Sequence, residues 1–172
     1  MRLATASLVV EMPTRIEDLA YFAGLFDGEG SIMLVRMHKS TRTYMPRIVI
    51  SMTDLPTMEW VHRTFPGGRL YRFTQSRFRR NENAKPVHRI DWTTAACLPI
   101  LRGILPYLKT KSAQAHILIG VLELRTQIEA ARKPYVRRDE ATIVLYEAAR
   151  ERLCALNKRG RLIEIGVPHA SA

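Results

Sequence analysis

Long apolar runs are absent. No stretch approaches the ~18 uninterrupted apolar residues that a membrane-spanning helix needs, although apolar side chains make up 47% of the 172 residues. A membrane-embedded helical protein is thereby excluded, and an ordinary water-exposed fold is expected. Cysteine is almost missing too. Cys97 and Cys154 each sit among apolar neighbours without the spacing of zinc ligands, so both are expected to be buried free thiols. His62, His116 and His169 show no metal-type spacing and are assigned no role. There is no internal repeat. The opening residues hold one Arg and a short apolar run broken by Glu11, too little for a signal peptide. An intracellular protein is expected, in an organelle or a bacterial cytoplasm, with no membrane partner.

Acidic residues are also in short supply, 16 against 27 Lys and Arg, for a net charge of +11. That surplus suits a polyanion, because each Lys or Arg that neutralises a phosphate releases condensed counterions. Nucleic acid is the favoured partner. Charge alone does not separate DNA from RNA, nor does it dispose of an anionic membrane or a charge kept for solubility.

The length is that of one domain, expected over residues 14–158, with a loose arm at 1–13 and a tail at 159–172. A helix is predicted from Thr14, where Thr14-Arg-Ile-Glu17 has the capping-box pattern, to Gly30, a natural stop. Residues 31–38 and 44–52 read as strands joined by a polar turn. Residues 54–65 read as a short helix with Asp54 as N-cap and Pro56 in its first turn. Pro66-Gly-Gly68 turns the chain into a strand at 69–73, and a basic segment separates that from a fourth at 87–92. Helices follow near 95–106, 110–132 and 139–157. The fold class is α+β: an α-β-β-α-β-β-α core with C-terminal helices.

Ala20, Gly24 and Gly28 recur every four residues and so line one face of the first helix. Small residues there let a second helix approach almost to backbone contact. Gly inside a helix costs about 1 kcal/mol relative to Ala, so two of them need a reason, and close helix–helix packing supplies one. Glu29 ends the same helix, where the macrodipole disfavours an anion. A bound cation would remove that conflict; a solvated surface carboxylate would tolerate it.

Phe22-Ala-Gly-Leu-Phe-Asp-Gly-Glu-Gly30 resembles the nine-residue motif of the LAGLIDADG homing endonucleases, and Ser31-Ile32 after it is also usual there. The order of elements matches that family's core. Ile50-Ser-Met-Thr-Asp54 resembles its segment after the second strand, and Leu105-Pro-Tyr-Leu-Lys-Thr-Lys-Ser-Ala-Gln114 its late PxLxxK segment, so the resemblance spans roughly residues 14–132.

The resemblance implies site-specific, metal-dependent cleavage of double-stranded DNA at a long pseudo-palindromic target, leaving staggered ends. Glu29 would be the catalytic metal ligand, with the Gly28 carbonyl a further ligand and Mg2+ the ion, Mn2+ or Ca2+ being able to occupy the site. Asp54 matches a polar position that helps hold metal-bound water, and capping the second helix accounts for it equally well. Lys111 matches a lysine near the scissile phosphate, while Asp27 is expected to be structural. Met58 stands where relatives often carry a basic active-site residue.

The resemblance further implies a sheet that reads the major groove with alternate side chains. Ser31, Arg47, Ser51, Arg69, Tyr71 and Phe73 are expected on that face. Arg36, His38, His88 and Arg89 are candidates whose facing is open, and Arg77, Arg79 and Arg80 are expected on phosphates. One motif per chain implies a C2 homodimer with Ala20, Tyr21, Gly24, Leu25 and Gly28 at the seam. The competing readings are a relative that binds DNA or acts as an intron-splicing maturase without cutting, and a basic RNA-binding module.

Overall fold

The computed structural model describes residues 15–38, 42–73, 85–131 and 139–158. The expected arm, tail and 133–138 linker lie outside them, as do Arg77, Arg79 and Arg80, and nothing is described of the side chain of His38. The order is α1 (Ile16–Glu29), β1 (Gly30–His38), β2 (Thr43–Met52), α2 (Leu55–Thr64), β3 (Arg69–Phe73), β4 (Val87–Thr93), α3 (Cys97–Ile104), α4 (Ser112–Ala131) and α5 (Glu140–Leu156). The single helix expected near 95–106 is instead α3 flanked by two 3₁₀ turns, Thr94–Ala96 and Leu105–Tyr107. Pro106 lacks the backbone N–H that a continuing α-helix would use.

Helix α1 starts later than the capping-box reading placed it. Arg15 is the N-cap, with no side-chain hydrogen bond, and the expected cap Thr14 lies outside the described residues. With the cap at Arg15, Glu17 falls one position short of the site from which a capping-box carboxylate reaches back. The other termini follow their local chemistry. Asp54 Oδ2 accepts from the Thr57 N–H at 2.9 Å to cap α2, and Asp139 Oδ1 accepts from the Thr142 N–H at 2.6 Å to cap α5.

The four strands form one antiparallel sheet in the order β1-β2-β4-β3. Gly30 pairs with Ile50, and Ile50 pairs with Ile90, which sets the parity of both faces. One face carries Ile32, Leu34, Tyr44, Ile48, Ile50, Ile90 and Trp92, all buried under the helices. They share a core with Phe22 and Phe26 of α1, Met58 and Val61 of α2, Ile100 and Leu101 of α3, and Leu118 of α4. Phe22 stacks on Phe65 with ring centroids 4.1 Å apart, and the buried Trp92 donates Nε1–H to the Phe65 carbonyl at 3.1 Å. Helix α5 docks on the far edge: the Tyr44 hydroxyl donates to Glu147 at 2.7 Å, and Asn157 Nδ2 donates to the Ile32 carbonyl at 2.9 Å.

The two cysteines part company. Cys97 is buried, with its thiol pushed up to about 12 by burial. Cys154 is exposed, contrary to expectation, because the buried stripe of α5 runs through Thr142, Tyr146 and Leu153 and leaves its neighbour outside. No helix among the described residues is long and apolar enough to cross a membrane.

Trp92 sits where sheet, α1 and the β3 turn meet, and removing so large a buried aromatic costs about 3–5 kcal/mol. Trp92→Ala should lower the unfolding free energy by that amount in a urea titration. A loss below about 1 kcal/mol would show that the core is organised elsewhere.

Candidate active site and nucleic-acid interface

The last turn of α1 is held by one carboxylate. Asp27 accepts from three successive backbone N–H groups: Lys109 at 2.6 Å, Thr110 at 3.2 Å and Lys111 at 3.0 Å. The Thr110 hydroxyl donates to the same carboxylate at 3.0 Å, and Lys111 Nζ donates to the backbone carbonyl of Asp27. Burial pushes the Asp27 carboxyl up, but these hydrogen bonds outweigh it and hold it below the ordinary value. An ammonium at the C-terminal end of a helix also suits the macrodipole. The knot therefore brings the segment before α4 against α1 and ties Lys111 to the turn that ends, two residues after Asp27, at Glu29.

Glu29 is exposed at the end of α1. Gly30 then leaves the helix in extended conformation, so tightly that a Cβ there would lie 2.5 Å from the Phe26 carbonyl oxygen. Gly28, Gly30, Ser31, Lys111, Gln114 and Lys158 line an open cleft of about 430 Å³ beside this corner. Gln114 is buried and its Oε1 has no hydrogen-bond partner among the described residues. The carbonyl of Gly28 lies in the final turn, where helix carbonyls lack intrahelical partners.

Asp54 does not line this cleft. It is exposed, and its hydrogen bonds with Thr57 hold its carboxyl below the ordinary value. Met58 is fully buried, so that position of α2 offers the surface no group of any charge. Among the described residues no group of three or more His, Cys, Asp or Glu side chains could hold a metal ion. The Glu29 carboxylate and the Gly28 carbonyl are the oxygen groups this corner could offer a metal. Those donors suit a hard divalent cation but leave most of its coordination to other sources.

Strand parity assigns the second face of the sheet. Ser31, Met33, Arg47, Val49, Ser51, Arg69, Tyr71, Phe73, Arg89, Asp91 and Thr93 lie on the side away from the helices. Ser31, Arg47, Ser51, Arg69, Tyr71, Phe73 and Arg89 of the expected reading set therefore share one surface. Two candidates do not. His88 pairs with Met52 on the helix side and is 3% exposed, so it is withdrawn as a DNA contact. Arg36 pairs with the buried Tyr44 and lies 3.9 Å from Glu147 of α5, which places it on the helix side as well.

The small-residue stripe of α1 faces outward. Ala20, Gly24 and Gly28 are exposed, and Cβ atoms built on the two glycines meet no described atom within 4 Å. Tyr21 is 55% exposed, its ring 5.2 Å from that of Trp60, while Leu25 is half-buried against the chain's own core.

No protein-family model matches the sequence, and no curated protein does. Solved structures match in fold. A structure of I-CvuI in complex with its target in the presence of calcium superposes with a TM-score of 0.60 over 86% of this chain and 87% of that one, at 15% identity. The archaeal intron-encoded homing endonuclease I-Vdi141I, complexed with DNA, gives 0.60 over 84% and 87%, at 11% identity. The LAGLIDADG homing endonuclease I-SmaMI, bound to cleaved DNA, gives 0.51 over 81% of this chain and 50% of that one, at 16% identity. The chain has the LAGLIDADG homing endonuclease fold.

Within that fold, two polar groups escaped the sequence reading. Asp27, expected to be structural, has that role here, with partners more than eighty residues away. Asp91 follows Ile90 and precedes Trp92, a spacing that marks it for the open face and gives no hint of the arginines described below. Gln114 is one turn into α4 and is distinguished only by its burial.

Because the folded Asp27 carboxyl titrates below the ordinary value near 3.8, its stabilisation is complete above that pH and disappears as pH falls through the lower folded value. Asp27→Asn should be less stable than wild type at pH 7 by about 1–3 kcal/mol. The gap should close in acid, measured by denaturant titration across the carboxylate range. A gap independent of pH would mean the charge is not what the three N–H groups bind.

Proposed function

We propose that the chain is a site-specific double-stranded DNA endonuclease that works as a C2 homodimer. The observation that carries this reading is the exposed Glu29 at the end of an outward-facing Ala20/Gly24/Gly28 stripe, with Lys111 tied beside it. A stripe with nothing to pack against within the chain suits a second copy of the same helix. Pairing two such helices would bring two Glu29 carboxylates to the symmetry axis, one for each DNA strand. The match to I-SmaMI covers half of that chain, so one such chain has roughly the length of two of these matched units.

In this reading Glu29 and the Gly28 carbonyl hold Mg2+, with Mn2+ or Ca2+ as alternative occupants and phosphate and water completing the shell. A divalent ion held there would supply an activated water and charge neutralisation at the leaving oxygen. Lys111 can turn from the Asp27 carbonyl to the scissile phosphate and stabilise the charge that develops there. Asp54 caps α2 and is available to hold a water. The open sheet face lies in the major groove, where Ser31, Arg47, Ser51, Arg69, Tyr71, Phe73 and Arg89 meet base edges. His38 at the end of β1 belongs to the same proposal, and Arg77, Arg79 and Arg80 contact phosphates. A structure of I-CvuI on the I-CreI target with magnesium is described as revealing DNA not cleaved. Fold and ion together therefore do not suffice for cutting, and buried Met58 withholds one cation; a DNA-binding or maturase protein is the second reading.

Two experiments separate these. Glu29→Gln should bind the DNA target as wild type does but cut it at least about 100-fold more slowly in Mg2+. Equal cutting by the variant would remove Glu29 from the chemistry, and a wild type that binds but never cuts would favour the second reading. Gly24→Leu should leave the fold intact while converting the dimer to monomer in sedimentation. A Gly24→Leu dimer would place the seam elsewhere.

A further inference from the structure

Among the described residues of the proposed reading face, one carries the wrong sign. Asp91 lies between basic side chains on the surface that would meet a polyanion, yet it is only 8% exposed. Two guanidinium groups cover it. Arg89 Nε lies 2.9 Å from Oδ1 and Arg89 Nη2 lies 3.3 Å from Oδ2, while Arg47 Nη2, from the adjacent strand, donates to Oδ2. Arg89 is held from the other side as well, its Cζ 4.6 Å from the Phe73 ring centroid and 5.4 Å from that of Tyr71. Those rings stack with centroids 6.1 Å apart, and Arg69 lies over Tyr71 at 5.2 Å.

We propose that Asp91 is a specificity-determining positioning residue, which orients Arg47 and Arg89 so that each half-site is read as two nearby guanines. This rests on the DNA-binding reading above. A free arginine side chain is flexible, and a carboxylate fork removes that freedom before DNA arrives. Arg89 and Arg47 each donate to Asp91 through Nη2, which leaves the Nη1 group of each for a base. Two donors in one plane match O6 and N7 of guanine in the major groove. Asp91 itself does not read a base, because its Oδ2 accepts from both guanidinium groups and the carboxylate is covered. Its charge also cancels part of the attraction to phosphate, so it trades non-specific affinity for orientation.

The test is selection of a randomised double-stranded DNA library by the full chain in Ca2+, with the bound pool sequenced, for wild type and Asp91→Asn. The wild-type pool should carry guanine at two nearby positions in each half. Asp91→Asn should flatten those positions by roughly 10-fold each while the rest of the motif stands. Its affinity for non-specific DNA should hold or rise and depend more steeply on salt, an outcome that simple destabilisation does not produce. An unchanged sequence profile in folded Asp91→Asn overturns the proposal. If circular dichroism shows that variant unfolded, Asp91→Glu takes its place and should retain the charge balance while shifting only the two guanine positions; an unfolded or unshifted Asp91→Glu makes Asp91 structural. A wild-type motif without those guanines sinks this inference alone. A wild type that enriches no motif sinks the DNA-reading function with it.

Discussion

The carboxylate of Asp27 is the point on which the two halves of the site depend. Three consecutive backbone N–H groups of residues 109–111 converge on it, from a segment eighty-two residues away in sequence. Those N–H groups precede α4, where donors have no intrahelical partner and need an acceptor from outside. Asp27 supplies it from the last turn of α1, and Lys111 returns a cation to that turn's carbonyl. Each helix end thus satisfies the other. An isolated carboxylate in that position would face the negative end of its own macrodipole; here it answers the electropositive start of α4 instead. Glu29, two residues on, is left exposed.

The second constraint is geometric. Because Gly30 exits α1 without a Cβ against Phe26, β1 begins in the residue after Glu29, and Gly30 pairs with Ile50. Side chains alternate with a period of two, so this single register assigns every residue of the sheet to a face. Ile32, Ile48, Ile50, Ile90 and Trp92 go to the helices, and Ser31, Arg47, Arg69, Tyr71 and Arg89 go outward. A slip of one residue would bury three arginines and expose the core, which no local rearrangement could offset. The Glu29 corner and the open sheet face are therefore placed by the same turn.

Much of this was legible because the relevant signals are local. The α1 motif, the alternation of the strands and the Asp54 cap each declare themselves within a few residues, and the four strand positions were read to within one residue. Errors arose where partners come from elsewhere. The Thr14 pattern has the letters of a capping box, but the chain begins its helix one residue later. His88 and Arg89 are neighbours of similar polarity, and only the pairing of β4 with β2 sends one inward and the other outward. Cys154 lies among apolar residues in sequence, yet α5 is buried along a stripe that misses it. Asp91 has no local signal of its partners, since its meaning depends on Arg47 from another strand.

Gly28 to Ser31 is also where the two outward surfaces meet, the α1 stripe ending as the open sheet face begins. In the proposed dimer this makes association and DNA binding linked equilibria, because a duplex spanning both halves binds the pair and not the single chain. The stripe alone is a modest interface: two glycines and an alanine bury little apolar area, and its advantage is close approach more than hydrophobic contact. A long target that engages both sheets would supply the remaining free energy as an intramolecular second contact. In that dimer the absence of large apolar side chains along Ala20, Gly24 and Gly28 would serve close approach. A bulkier seam would hold the dimer harder but would push apart the two Glu29 carboxylates, whose spacing is set by how closely the helices approach.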